Sequence, residues 1–248
     1  MAGNASVPGA SVAQRLFRVL DTFDPAHGEM TLTEIAERAD LPISTTRRLL
    51  QELTAWGGLE RLVDNRFRVG IHLWQIGTLA PRQRDLRETA LPLMHDLAKA
   101  TQETVQVMVL DGLDALCVEK VSAARASPTA TQVGGRLPLY ATAVGKCLLA
   151  HSPRDLLVAV VERGLSRHTP HTLTQPGLLV RQLKEVRAAG VAYSREEMTL
   201  GAVSVAAPIL SGGTLRGAIG IVVRAPGQLE ALTPAVKTAS LSIGRVIS

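Results

Sequence analysis

Aromatic residues make up only 3% of the chain, and cysteine occurs just twice, at Cys117 and Cys147. Two widely separated thiols exclude a disulfide framework and a thiolate metal cage, and each reads as a small buried apolar residue. No apolar run approaches the roughly 18 residues a membrane span requires. Residues 1–11 lack the charged-then-apolar order of a secretory signal, so a soluble cytoplasmic protein is expected. Lysine is absent from the first 80 residues, where eight arginines face nine acidic residues. The formal net charge of +5 therefore comes from beyond residue 90, where sixteen basic residues face eleven acidic ones. Any nucleic-acid affinity of the amino-terminal part must come from a local strip of arginines, not an overall field.

Catalytic signatures are missing as well. There is no G-x-S-x-G elbow and no G-x-G-x-x-G turn. Gly145-Lys146 resembles the end of a phosphate loop, but Tyr140 stands where that loop requires a glycine and Cys147 where a hydroxyl would hold magnesium. The six histidines are scattered; His168 and His171 share a loop without acidic or thiol partners. No catalytic residue, metal site or cofactor is expected.

What is present begins with 248 residues, 46% of them hydrophobic and 20% charged, enough for two domains with real cores. The stretch from Thr31 to Val69 organises the first. Leu32, Ile35, Ala36 and Ala39 recur at helical spacing, with Thr33 as the expected cap. Asp40-Leu41-Pro42 breaks that helix, and Pro42 suits the first turn of the next. Thr46, Leu49, Leu50 and Leu53 form an inward stripe on the second helix, which leaves Ile43, Ser44, Thr45, Arg47, Arg48 and Gln51 outward. Gly57-Gly58 ends it, and Leu59–Val63 and Phe67–Val69 flank Asp64-Asn65 as a hairpin carrying Arg61, Arg66 and Arg68. A helix-turn-helix with a basic wing fits DNA binding: Ser44, Thr45, Arg47 and Gln51 are placed to read bases or flanking phosphates, and Arg48, Arg61, Arg66 and Arg68 to sit on the backbone.

Before this stretch, residues 1–10 read as a loose tail, Val12–Phe23 as a helix and Asp24–Glu29 as a loop. After it, Ile71–Leu79 starts another helix, Arg82–Glu88 reads as an interdomain linker, and Leu91–Ala98 as an amphipathic helix. Beyond residue 100 the period changes. Glu103–Leu110 and Leu113–Val121 form a hairpin about Asp111-Gly112, and Gly201–Leu210 and Leu215–Arg224 another about Ser211-Gly212-Gly213. Helices are expected from Ala143, over Pro153–Arg163 with Ser152 as cap, from Thr174 to Ala189, and from Thr233-Pro234 to the end. Helices interspersed with hairpins predict an α+β domain with an antiparallel sheet. Its small-residue loops, Ala126–Val133 and Gly134–Gly145, suit closure over a small molecule.

The segments LTEIAERADLPISTTRRLLQEL and GGLERLVDNRFRVG, followed by GRLPLYATAVGKCLLA and GVAYSREEMTLGAVSVAAPI, resemble the IclR family of transcriptional regulators over nearly the whole chain. The resemblance implies a winged helix-turn-helix domain over 1–76, a linker helix over 77–90 and a GAF/PAS-like effector-binding domain over 91–248. It also implies a homodimer or dimer of dimers on a palindromic operator, working as repressor or activator under a carboxylic or aromatic acid. Thr142, Ala143 and Val144 fall at the family's ligand turn, with Thr129 and Tyr140 beside it. Ser194 stands where many members carry aspartate, Ser204 where cysteine is frequent, and Gly220 and Val222 where two serines are common. Fewer hydroxyls imply a roomier, less polar pocket and a larger effector than a two- or three-carbon acid. Two other readings stay open on the residues alone: an enzyme with a DNA-binding appendage, and an adaptor whose winged domain binds protein.

Overall fold

The computed structural model describes residues 10–124, 126, 129 and 131–247, with the side chains of 81–84 excepted. The expected amino-terminal tail lies almost wholly outside them. The chain forms two compact units, residues 1–81 and 82–248, which are treated separately.

The first unit holds α1 (Val12–Leu20), β1 (Glu29–Met30), α2 (Leu32–Ala39), α3 (Ile43–Trp56), β2 (Leu59–Arg61), β3 (Phe67–Val69) and α4 (Ile71–Gly77). Thr31, not Thr33, caps α2. Its hydroxyl accepts from the Glu34 N–H while the Glu34 carboxylate accepts from the Thr31 N–H, a reciprocal box that satisfies two first-turn donors. Asp40 closes α2 in the left-handed region at φ 52°, and Pro42 stands one residue before α3 begins at Ile43. Ile35, Leu49, Leu50 and Leu53 meet Val19, Met30 and Leu59 in one core, and Val12 is left exposed. The wing has a third strand: Glu29-Met30, expected as loop, pairs with β3, giving the order β1-β3-β2.

The second unit opens with α5 (Pro81–Thr101), a single helix that runs through Pro92 and merges the expected linker with the amphipathic helix after it. Leu86, Ala90, Met94 and Leu97 are all in this unit's core. Then follow β4 (Thr104–Asp111), β5 (Asp114–Ser122), β6 (Arg136–Pro138), α6 (Ala143–Ala150), α7 (Arg154–Arg163), α8 (Pro176–Ala189), β7 (Ala192–Arg195), β8 (Ala202–Ser211), β9 (Thr214–Arg224) and α9 (Leu229–Val246). The strands form one antiparallel sheet in the order β6-β5-β4-β9-β8-β7. β8 and β9 join through Gly212 and Gly213, both at positive φ, as a tight hairpin turn demands.

Alternation along the strands sends side chains to two layers. Val105, Val107, Val205, Ile219 and Ile221 pack with α5 and α9. Met108, Cys117, Ala206 and Ala218 pack with α6 and α8 on the opposite face. Three helix starts differ from expectation. Ser152 donates to Leu148 O at 2.7 Å, and α7 begins at Arg154 behind Pro153, without a side-chain cap. Gln175, not Thr174, precedes α8. α9 starts a turn early, at Leu229, and carries Pro234 inside.

Candidate nucleic-acid interface and ligand cavity

On α3 the stripe Thr46, Leu49, Leu50 and Leu53 is buried, so Ser44, Arg47, Arg48 and Gln51 are exposed and Thr45 half-buried on the opposite side. Arg47 and Arg48 make no ion pair with any described residue. The wing differs. Arg66 binds Asp64 at 2.7 Å and Glu29 at 3.2 Å, Arg68 binds Glu60 at 2.9 Å, and Arg61 donates to Asn65 at 2.6 Å. Hydrogen bonding to Asp64 raises the Arg66 pKa and hydrogen bonding to Glu60 raises that of Arg68, so both cations are held but already engaged. Arg66 and Arg68 are thus neutralised by carboxylates, whereas Arg47 and Arg48 on α3, and Arg61 on the wing, pair with no carboxylate of a described residue.

In the second unit a cavity of about 60 Å³ lies among the sheet, the loop after β5 and the loop between β7 and β8. It brings together Thr129, Thr142, Ser194, Ser204 and Val222 of the residues expected at a ligand. Register explains the grouping: Ser194 pairs with Ser204, and Ser204 with Val222, across three adjacent strands. Tyr140, Ala143, Val144 and Gly220 do not line it. The Tyr140 hydroxyl donates to Ser166 O at 2.9 Å beside His168. The bare backbone at Gly220 adds no room, because a Cβ there would meet Val144 Cγ1 at 2.8 Å.

Some hydroxyls on the wall are already committed. Ser194 donates to Ala141 O, and Thr142 donates to Pro138 O while accepting the Gly145 N–H as the cap of α6. Sequence reasoning missed Gln106, Leu137, Met198 and Thr199 on the same wall. Met198 and Thr199 arrive through a loop anchored by Glu197, whose carboxylate meets the buried Lys146 ammonium at 2.5 Å. Desolvation lowers the Lys146 pKa and the Glu197 charge opposes that shift. Behind the cavity, Lys120 Nζ donates to Thr131 O at 2.7 Å, and the neighbouring Glu119 accepts from Arg87 of α5 at 2.5 Å.

Among the described residues no group of three or more His, Cys, Asp or Glu side chains could hold a metal, and no helix is long and apolar enough to cross a membrane.

Comparison with known proteins agrees with this architecture. Residues 12–62 match the IclR helix-turn-helix domain, and residues 79–245 match the bacterial transcriptional regulator IclR C-terminal domain. The chain is 36% identical to the HTH-type transcriptional regulator BhcR of Paracoccus denitrificans, over 95% of this chain and 88% of that protein. It is 30% identical to the transcriptional repressor IclR of Escherichia coli, over 83% of this chain and 77% of that protein. Among solved structures, an IclR homolog from Microbacterium hydrocarbonoxydans complexed with 4-hydroxybenzoate superposes with a TM-score of 0.91 at 31% identity, covering 96% of this chain and 99% of that one. By its two domain matches and these relatives, the chain belongs to the IclR family of bacterial transcriptional regulators.

Proposed function

We propose that this regulator binds a palindromic operator as a homodimer or dimer of dimers in the cytoplasm, and that a small organic acid in the second-unit cavity sets its affinity for that DNA. The observation that carries the reading is the outward face of α3, where Arg47 and Arg48 stand unpaired above a buried stripe. Ser44, Thr45, Arg47 and Gln51 read base edges or flanking phosphates; Arg48, Arg61, Arg66 and Arg68 position the protein on the backbone. Two such helices reach successive major grooves about 34 Å apart. Ile71, Trp74 and Leu79, exposed at 67%, 64% and 72%, offer an apolar surface that a second copy would cover.

The effector reading rests on Thr129, Thr142, Ser194, Ser204 and Val222 meeting at one cavity, and on the 4-hydroxybenzoate held by a relative of the same fold. A ligand shifts DNA affinity only through its differential affinity for two arrangements. The route runs from the Thr131 wall through Lys120 and Glu119 to Arg87, on the helix that leads directly from the first unit.

Fluorescence anisotropy on the DNA upstream of the protein's own gene tests the reading, titrated against salt with and without 4-hydroxybenzoate, benzoate, glyoxylate or pyruvate. Salt-sensitive preference for that fragment over scrambled DNA, altered by one of the acids, is the expected result. Equal binding to both DNAs overturns it.

A further inference from the structure

We infer that Gln106 is the specificity-determining residue of this cavity and that it demands an effector carrying a hydroxyl, or another group that donates a hydrogen bond. The inference rests on the cavity reading above and deepens it. Gln106 lies on β4 in register between Lys120 of β5 and Gly220 of β9, and is only 3% exposed. Its Oε1 is sealed from solvent with no hydrogen-bond partner among the described residues, and the Oγ1 of Thr129, on the same cavity wall, is in the same state.

A buried polar atom without a partner costs stability, so two such atoms at one cavity point to something that satisfies them when bound. A carboxylate cannot do this alone. The unpartnered atom is the amide oxygen, an acceptor that needs a donor, and an ionised acid brings acceptors only. Among the described residues the wall also carries no charged side chain, so a carboxylate pressed against the Gln106 oxygen would meet an acceptor and no cation. Of the neighbouring hydroxyls, those of Ser194 and Thr142 have their protons committed to Ala141 O and Pro138 O. The group facing the Gln106 oxygen must therefore bring its own proton.

Two measurements on the full chain test this. Without ligand, Gln106→Leu removes an unsatisfied polar group and is expected to raise the melting temperature by about 2–4 °C; a fall shows a satisfied, structural glutamine and overturns the inference. With ligand, calorimetry compares pairs differing by one hydroxyl: 4-hydroxybenzoate with benzoate, and lactate with propionate. At least one hydroxylated member is expected to bind tenfold or more tighter than its partner, and Gln106→Leu to bring that ratio close to one. No tenfold preference in either pair, no binding by any hydroxylated member, or an unchanged ratio in Gln106→Leu overturns it. Val222→Trp separates the two readings: binding that survives a filled cavity defeats the cavity assignment itself, whereas binding lost there but indifferent to Gln106 defeats only the hydroxyl requirement.

Discussion

Lys146 and Glu197 stand 51 residues apart in sequence, yet their side chains meet at 2.5 Å with the lysine fully buried. The ammonium also donates to Tyr193 O, and the hydroxyls of Thr169 and Thr172 donate to the carbonyls of Glu196 and Glu197 at 2.6 Å each. These bonds fix the first residues of the loop that carries Met198 and Thr199 to the cavity. The pair is thus an anchor for one wall of the cavity.

Removing one partner strands the other charge. Lys146→Met leaves the Glu197 carboxylate buried and unpaired and should cost about 3–5 kcal/mol in denaturant unfolding. The double variant Lys146→Met, Glu197→Leu should recover most of that loss, because no uncompensated charge remains.

Arg87 and Glu119 join α5 to the strand that holds the opposite wall. Glu119 faces α5 while Lys120, the next residue on β5, reaches Thr131, as alternation along a strand dictates. Glu119→Gln should leave DNA affinity without ligand within about twofold and bring the ratio of affinities with and without ligand close to one. Anisotropy titrations on the operator fragment measure both.

Salt dependence separates the two arginine sets. Arg47→Ala should reduce the slope of log affinity against log salt by about 1. Arg66→Ala should reduce it by less, since Asp64 and Glu29 already neutralise that side chain and must be displaced by any phosphate.

The helix cap gives a local test. Thr31→Ala should destabilise the first unit by about 1 kcal/mol, and Thr33→Ala, which removes no cap, should have only a small effect. Chemical denaturation of both variants distinguishes them.

Burial pushes the Cys117 thiol from 9.0 up to about 11, and that of Cys147 upward as well. A group protonated more firmly in the folded than in the unfolded state loses stability as pH rises between the two values. Wild type should lose about 2–3 kcal/mol relative to Cys117→Ala between pH 9 and pH 11. At pH 7 both thiols should react with iodoacetamide only on unfolding, which mass spectrometry reads directly.

Much of this was legible from local pattern. The stripe Thr46, Leu49, Leu50, Leu53 and the stop at Gly57 set α3 and its exposed face, because helical periodicity and a left-handed cap act within a few residues. The two long hairpins were legible for the same reason. β1 and β7 were not: strands of two and four residues carry almost no periodic signal and exist only because β3 and β8 pair with them. α5 looked divided because charges and Pro92 interrupt its pattern, but Leu86, Ala90, Met94 and Leu97 all find one core and hold it as one helix.

The amino-acid order by itself determined the helix-turn-helix, the wing and the alternating strands, since each is written in neighbours a few residues apart. Only the tertiary structure decided the cavity. Gln106 is one polar letter in the apolar run VQVMVL, and nothing local marks it as unsatisfied. Its place beside Gly220 and Lys120 depends on pairings across the sheet, and Val144 over Gly220 cancels the space that a missing side chain would otherwise leave. Long-range packing sets what is buried and what is partnered, and that in turn sets what a ligand must bring.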